Sequence, residues 1–231
     1  MANVYLIPCT LGDSSLEVLS PQIKATILSL SYFIVENEKS ARRFIKQVAP
    51  EKEQSTLHIA VIDKHNAAAD VSTLLQPCSE EHSVGIISEA GCPGVADPGA
   101  EVVRLAHQRG LRVIPLVGPS SILLALMASG MSGQHFAFNG YLPIDKSERK
   151  RTFKALERKA HEGQTQVCIE TPYRNEKLLT DMLGTLQPST LVCVALDITL
   201  PTEEIYTLPV SQWRKKALNL QKRPAIFIIG K

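Results

Sequence analysis

The chain has 231 residues, of which 44% are hydrophobic and 21% charged, with a formal net charge of +2. A chain of this length can bury a sizeable core without disulfides or a structural metal. So small a net charge is too weak to argue nucleic-acid binding from bulk charge, and it leaves room for a local basic patch.

The first β-rich run covers residues 4–7. No basic stretch precedes it and Pro8 breaks it, so it does not read as a signal peptide. The loop Pro8-Cys9-Thr10-Leu11-Gly12-Asp13 follows, with Asp13 or Ser14 as candidate cap of a helix over 16–30. In that helix Leu16, Leu19, Ile23, Ile27 and Leu30 recur at helical spacing. A second strand over 32–35 leads into Glu36-Asn37-Glu38-Lys39-Ser40-Ala41-Arg42-Arg43, where acids suit a helix's first turn. Strands over 57–62 and 84–87 come next. The latter runs directly into Ser88-Glu89-Ala90-Gly91-Cys92-Pro93-Gly94-Val95-Ala96-Asp97-Pro98-Gly99.

That loop is the strongest local signal. Three glycines let backbone approach a ligand, and two prolines stiffen it. Ligands of open α/β sheets bind at strand carboxyl ends, and Glu89 and Asp97 can accept from hydroxyls or amines. A helix over 100–109 and a strand over 113–116 follow. Gly118-Pro119-Ser120-Ser121 then opens an apolar helix over 122–129, whose free N–H groups and hydroxyls can meet a carboxylate. A domain border falls near 115–121, giving domains 1–117 and 118–231. A second candidate border is the loop Gly140-Tyr141-Leu142-Pro143.

Residues 146–159 carry Lys146, Arg149, Lys150, Arg151, Lys154, Arg158 and Lys159. Helical spacing puts Lys150, Lys154 and Arg158 on one face, a patch that can track a nucleic-acid backbone or be balanced by Glu148, Glu157 and Glu162. A strand over 166–169 ends in Glu170-Thr171-Pro172-Tyr173-Arg174-Asn175. There Arg174 can hold a phosphate or carboxylate, or Pro172 can be a helix-start residue with Thr171 as cap. Met182 and Leu183 belong to a helix running from about residue 175 to 186. Strands over 191–196 and 225–229 complete the chain. Strand–helix alternation implies a largely parallel sheet with crossover helices, and eight strands imply two sheets.

Several chemistries find no support. G-x-G-x-x-G and P-loop patterns are absent, as is a G-x-S-x-G elbow. His58, His65, His82, His107, His135 and His161 lack pairwise metal spacing, so no metal is expected. The five cysteines, Cys9, Cys78, Cys92, Cys168 and Cys193, are odd in number with no C-x-x-C pair. Reduced thiols and a cytoplasmic location follow. The longest apolar run, 122–128, falls short of the ~20 residues of a membrane helix, so a soluble chain without membrane contact is expected.

Five segments, in order, resemble the tetrapyrrole methylase superfamily of S-adenosylmethionine-dependent methyltransferases. Within it they are most similar to the small-subunit ribosomal RNA cytidine-2′-O-methyltransferase I family. The loop at 88–99 is similar to S-D-A-G-T-P-x-x-x-D-P-G, and Leu116-Val117-Gly118-Pro119-Ser120-Ser121 to L-P-G-P-S-A. Ala128-Ser129-Gly130 and Phe138-Asn139-Gly140-Tyr141-Leu142-Pro143 follow in the family's order, and Glu170-Thr171-Pro172-Tyr173-Arg174 looks like E-S-P-H-R. The resemblance implies two α/β domains, the first sheet mostly parallel and the second mixed. It implies S-adenosyl-L-methionine in the cleft between them, and a homodimer with RNA or the small ribosomal subunit as partner. Carried onto matching positions, cofactor binding falls to Pro8, Ala90, Gly91, Cys92, Pro93, Asp97, Ser120, Ser121, Ala195 and Leu196. Glu36, then Glu89, are the candidate bases for a ribose hydroxyl, and Arg42 and Arg174 the candidate substrate contacts. Two segments depart from the pattern. E-D-T-R-H-T reads Glu36-Asn37-Glu38-Lys39-Ser40-Ala41, and A-R-E-L-T-K reads Ala195-Leu196-Asp197-Ile198-Thr199-Leu200. The resemblance leaves open a tetrapyrrole or other small-molecule acceptor, or a cofactor-binding module without catalysis.

Overall fold

The computed structural model describes residues 2–62, 73–78 and 82–231; Met1 and His65 lie outside them. The chain divides into two compact units, Met1–Ser120 and Ser121–Lys231.

The first unit is a five-stranded sheet of β1 (Asn3–Ile7), β2 (Tyr32–Val35), β3 (His58–Val61), β4 (Val84–Ile87) and β5 (Arg112–Pro115). Its order is β3-β2-β4-β1-β5, and every pairing is parallel. Side chains alternate between two cores. Ile7, Phe33, Val35 and Ile87 face α1 (Pro21–Ser29) and α2 (Glu38–Val48), while Val4, Ile34, Val84 and Ile86 face α3 (Gly99–Gln108). Burial on both faces explains why these strands read as apolar runs rather than alternating ones. The connections after β1 and β4 therefore leave on opposite faces of the sheet. A crevice opens at such a switch point, at the carboxyl ends of those two neighbouring strands.

Local chemistry sets the helix boundaries. The helix expected over 16–30 is interrupted: Leu16–Val18 is a 3-10 turn, and α1 begins at Pro21. Proline has no N–H to bond a preceding turn and fits a helix's first position. The caps are Ser15 and Ser20, whose side chains accept from Glu17 N and Gln22 N, not Asp13 or Ser14. In α2, Asn37 accepts from Ser40 N at 3.1 Å, and Ala41, Phe44 and Ile45 turn inward.

The second unit holds β6 (Phe136–Tyr141), β7 (Thr165–Ile169), β8 (Leu191–Leu196), β9 (Glu204–Pro209) and β10 (Ala225–Gly230) in the order β6-β7-β10-β8-β9. Only β6 and β7 pair in parallel, so the sheet is mixed. One face packs on α5 (Lys146–His161), α6 (Asn175–Leu183) and α7 (Val210–Trp213) through Phe153, Leu156, Met182, Phe227 and Trp213. Helix α4 (Ser121–Ser129) lies against β9 and β10. The Trp213 indole N–H donates to Val192 O at 2.8 Å.

Three expectations in this unit are corrected. Gly140-Tyr141 lies in β6, not in a border loop. Helix α6 starts at Asn175, as the spacing predicts, with Arg174 as its cap residue; Thr171 and Pro172 therefore do not begin it, and it ends at Leu183, short of residue 186. Arg149 does not belong to the exposed basic face: it is 3% exposed and ion-paired with Asp181 across α5 and α6. Among the described residues no helix is long and apolar enough to cross a membrane.

Candidate active site

Three loops interlock at the carboxyl ends of the first sheet. From the β1 loop, Cys9 N donates to Gly91 O at 2.9 Å, and the Ser88 hydroxyl donates to the same carbonyl at 2.9 Å. Gly91 has φ +67°, a conformation that favours glycine. The Cys92 thiol faces Pro119 O at 3.3 Å in the β5 loop. Gly118 touches Pro8 so closely that a Cβ there would stand 2.2 Å from the Pro8 Cβ. Asp97 holds the far end of the long loop, its Oδ1 accepting from Gly94 N at 2.8 Å and Gly99 N at 2.7 Å.

The β2 and β4 ends meet through carboxylates. Glu36 Oε1 accepts from Glu89 N at 3.3 Å, and Glu89 Oε1 accepts from the Ser40 hydroxyl at 2.5 Å. A depression beside them is lined by Cys9, Thr10, Ser40, Arg43, Gln47 and Glu89. Ser40, Arg43 and Gln47 were not singled out from the sequence. Their spacing puts them on one face of α2, and helical periodicity could have found them.

The structure thus brings Pro8, Ala90, Gly91, Cys92, Pro93, Glu36 and Glu89 to one end of one sheet, with Asp97 shaping the loop behind them. Ser120 closes this unit. Arg42 belongs elsewhere in α2's surroundings, with Nε on Glu38 Oε1 at 2.8 Å and Nη1 on Gln54 O at 2.9 Å.

In the second unit, Ser121 opens α4, and Ala195 and Leu196 are fully buried at the end of β8. Glu170, also buried, accepts from Thr171 N and from Arg174 Nη2, each at 2.7 Å. Beyond β8 the chain turns through Asp197 and Thr199, at φ +48° and +73°. Asp197 Oδ2 accepts from Arg223 Nε at 2.7 Å and from the Thr202 hydroxyl at 2.8 Å, and Arg223 Nη1 donates to Glu204 at 2.6 Å. The Arg223 hydrogen bond holds the Glu204 carboxyl below its usual pKa. No local pattern marks Arg223, which reaches Asp197 only across the fold.

Burial disfavours the thiolate form of several cysteines here. Burial, and secondarily the charge of Glu89, pushes the Cys9 thiol far above its usual pKa. Burial, with Glu170 nearby, raises Cys168 to about 12, and burial also raises Cys193 and Cys92. Thiolate is the reactive form. Iodoacetamide at pH 8 is therefore expected to leave Cys9, Cys168 and Cys193 unlabelled in the folded chain and to label all five cysteines in denaturant. Mass spectrometry of tryptic peptides checks this, and rapid native labelling of Cys9 would contradict it. Among the described residues no group of three or more His, Cys, Asp or Glu is placed to hold a metal ion.

Comparison with known proteins agrees with this arrangement. The model of the tetrapyrrole (corrin/porphyrin) methylases matches residues 5–213. A protein of Escherichia coli O157:H7 named ribosomal RNA small subunit methyltransferase I is 27% identical over 98% of this chain and 77% of its own length. Its namesake from Vibrio cholerae serotype O1 is 27% identical over 98% of this chain and 76% of its own length. The crystal structure of the methyltransferase CobJ covers 100% of this chain and 93% of its own, with a TM-score of 0.65 and 16% identity. A parallel sheet with glycine- and proline-rich loops at its carboxyl ends, a mixed second sheet, and a family match across most of the length place this methyltransferase chain in the tetrapyrrole methylase family.

Proposed function

We propose that this chain transfers a methyl group from S-adenosylmethionine to a ribose 2′-hydroxyl of small-subunit ribosomal RNA. The observation that carries the reading is the likeness, along 98% of the chain, to proteins named ribosomal RNA small subunit methyltransferase I.

The residues present fit the cofactor in kind. Glu36 and Glu89 put two carboxylates at the strand ends, a charge complementary to a sulfonium, and the packed loops offer backbone groups as partners. Pro8, Ala90, Gly91, Cys92, Pro93 and Ser120 of the first unit would hold it. Asp97 would act by fixing the loop. When bound, the cofactor supplies an electrophilic methyl group on a positively charged sulfur. The protein's part is alignment and exclusion of water. Glu36, anchored by the Glu89 amide, takes the ribose hydroxyl proton as the oxygen is methylated. Arg42 and Arg174 are proposed to meet RNA phosphates. Each now binds a protein acceptor and would exchange it on binding. The free thiols and the ribosomal substrate support a cytoplasmic location, and a homodimer is the proposed working state.

Small ribosomal subunits lacking the modification, incubated with labelled cofactor, are expected to take label into RNA at a nuclease-resistant 2′-O-methyl position. Glu36→Gln is expected to slow transfer by about 10²-fold or more, the usual contribution of a general base. Label in a porphyrinoid instead of RNA would establish the small-molecule reading. Cofactor binding without turnover would establish a module lacking catalysis. Sedimentation of the purified chain tests the dimer.

A further inference from the structure

The outer face of α5 carries an excess of positive charge that the fold itself creates. Of the helix's charged residues, Arg149 and Glu157 point into the unit. Glu157 accepts from Gln187 N at 2.7 Å and from the Thr190 hydroxyl at 2.6 Å. It is therefore unavailable to balance the lysines outside, which the sequence allowed it to do. Lys146, Lys150, Arg151, Lys154, Arg158 and Lys159 are exposed, against Glu148 as the helix's one exposed acid. Among the described residues none of those six forms an ion pair; Arg151 contributes a weak field at Asp145.

Their spacing makes a stripe. Lys146, Lys150, Lys154 and Arg158 recur every fourth residue, about 6 Å apart along the axis, and Arg151 flanks them. The stripe is thus about 18 Å long. Beside it runs a groove lined by Lys146, Lys150, Thr180, Asp181, Gly184 and Thr185, in which Asp181 is ion-paired with Arg149. Like charges at i,i+4 destabilise a helix, so an unneutralised row of four is a cost that an anionic partner would remove.

We propose that this face of α5 is where the substrate RNA docks, through its phosphate backbone. The proposal rests on the ribosomal RNA reading and deepens it. Phosphate contacts fix register and carry no sequence information, so the stripe holds RNA while other residues choose the nucleotide. A flexible lysine row meets a curved backbone without demanding one geometry.

The test compares the full chain with Lys150→Glu/Lys154→Glu and with a control of equal charge change elsewhere, Arg112→Glu/Lys215→Glu, both exposed. Binding to small ribosomal subunits and to a fluorescent single-stranded ribosomal RNA segment is read by anisotropy over a salt series. The α5 variant is expected to bind at least about 10-fold more weakly at low salt. Its slope of log affinity on log salt should fall by about 1.4, the loss of two phosphate contacts. Lys150→Arg/Lys154→Arg should keep both. Thermal melting and cofactor binding should be unchanged in all variants; if the double glutamate melts early, Lys150→Gln/Lys154→Gln replaces it. Equal loss in the control would show bulk charge and overturn the proposal. Unchanged binding by the α5 variant, with the wild type binding RNA, would overturn the docking surface alone. A wild type that binds neither RNA nor subunits would overturn the ribosomal reading and this surface together. Weakened binding to an acidic protein, with RNA binding intact, would assign the face to a protein partner instead.

Discussion

Gly118→Ala is expected to disable the enzyme and to destabilise the first unit. The added Cβ would lie 2.2 Å from the Pro8 Cβ and 2.5 Å from its Cγ. Neither partner can yield easily. Pro8 is buried and ring-locked, and its neighbour Cys9 is tied to Gly91 by a backbone hydrogen bond of 2.9 Å. The β1 and β5 loops must then part. Overpacking of this kind costs about 1–3 kcal/mol. The functional loss is larger in proportion, because displacing an aligned group by about 1 Å costs on the order of 100-fold in rate. Methyl transfer and cofactor titration should both collapse while far-UV dichroism stays native. Gly133→Ala is the control: a Cβ there meets nothing nearer than a Leu126 methyl at 4.0 Å. A Gly118→Ala protein with wild-type turnover would show that the interlocked loops do not hold the reactive groups.

Asp181→Ala is expected to give the largest loss of stability in the second unit. It strips the ion-pair partner from Arg149, whose side chain is 3% exposed. What remains for the guanidinium is Ile144 O at 3.1 Å and Pro143 O at 3.3 Å, both neutral acceptors. Breaking a buried pair from one side costs about 3–5 kcal/mol, because the surviving charge stays desolvated. Replacing both partners by apolar residues is often near neutral. Urea denaturation should therefore show a large drop for Asp181→Ala and recovery in Arg149→Met/Asp181→Leu. Equal loss in the single and double variants would mean that the pair's volume, rather than its charge, supports the packing of α5 on α6.

Strands β2, β4 and β8 have the bounds that their apolar runs predict. They are interior strands of their sheets, so burial is written into all of their residues but the first of β2 and β8. Edge strands β6 and β9 were not legible as strands. Their residues are half-buried or exposed throughout, and Phe136–Tyr141 and Glu204–Pro209 lack the apolar run that marks an inner strand. The loop at 88–99 stood out by composition, because glycine and proline act on the backbone where they sit. Its partners did not.

What the sequence by itself determined is the local chemistry: the alternation of strands and helices, the loops at their ends, the family likeness, and the presence of a basic segment at 146–159. Only the tertiary structure decided which of those parts meet. It set Pro8 against Gly118, Glu36 on the Glu89 amide, and Arg223 on Asp197. It also turned Arg149 and Glu157 inward, leaving the lysines of α5 outside and unbalanced. The reason is physical. Propensity, capping and periodicity act within one or two turns of chain, whereas the direction of a charged side chain is settled by whichever distant group can replace its water.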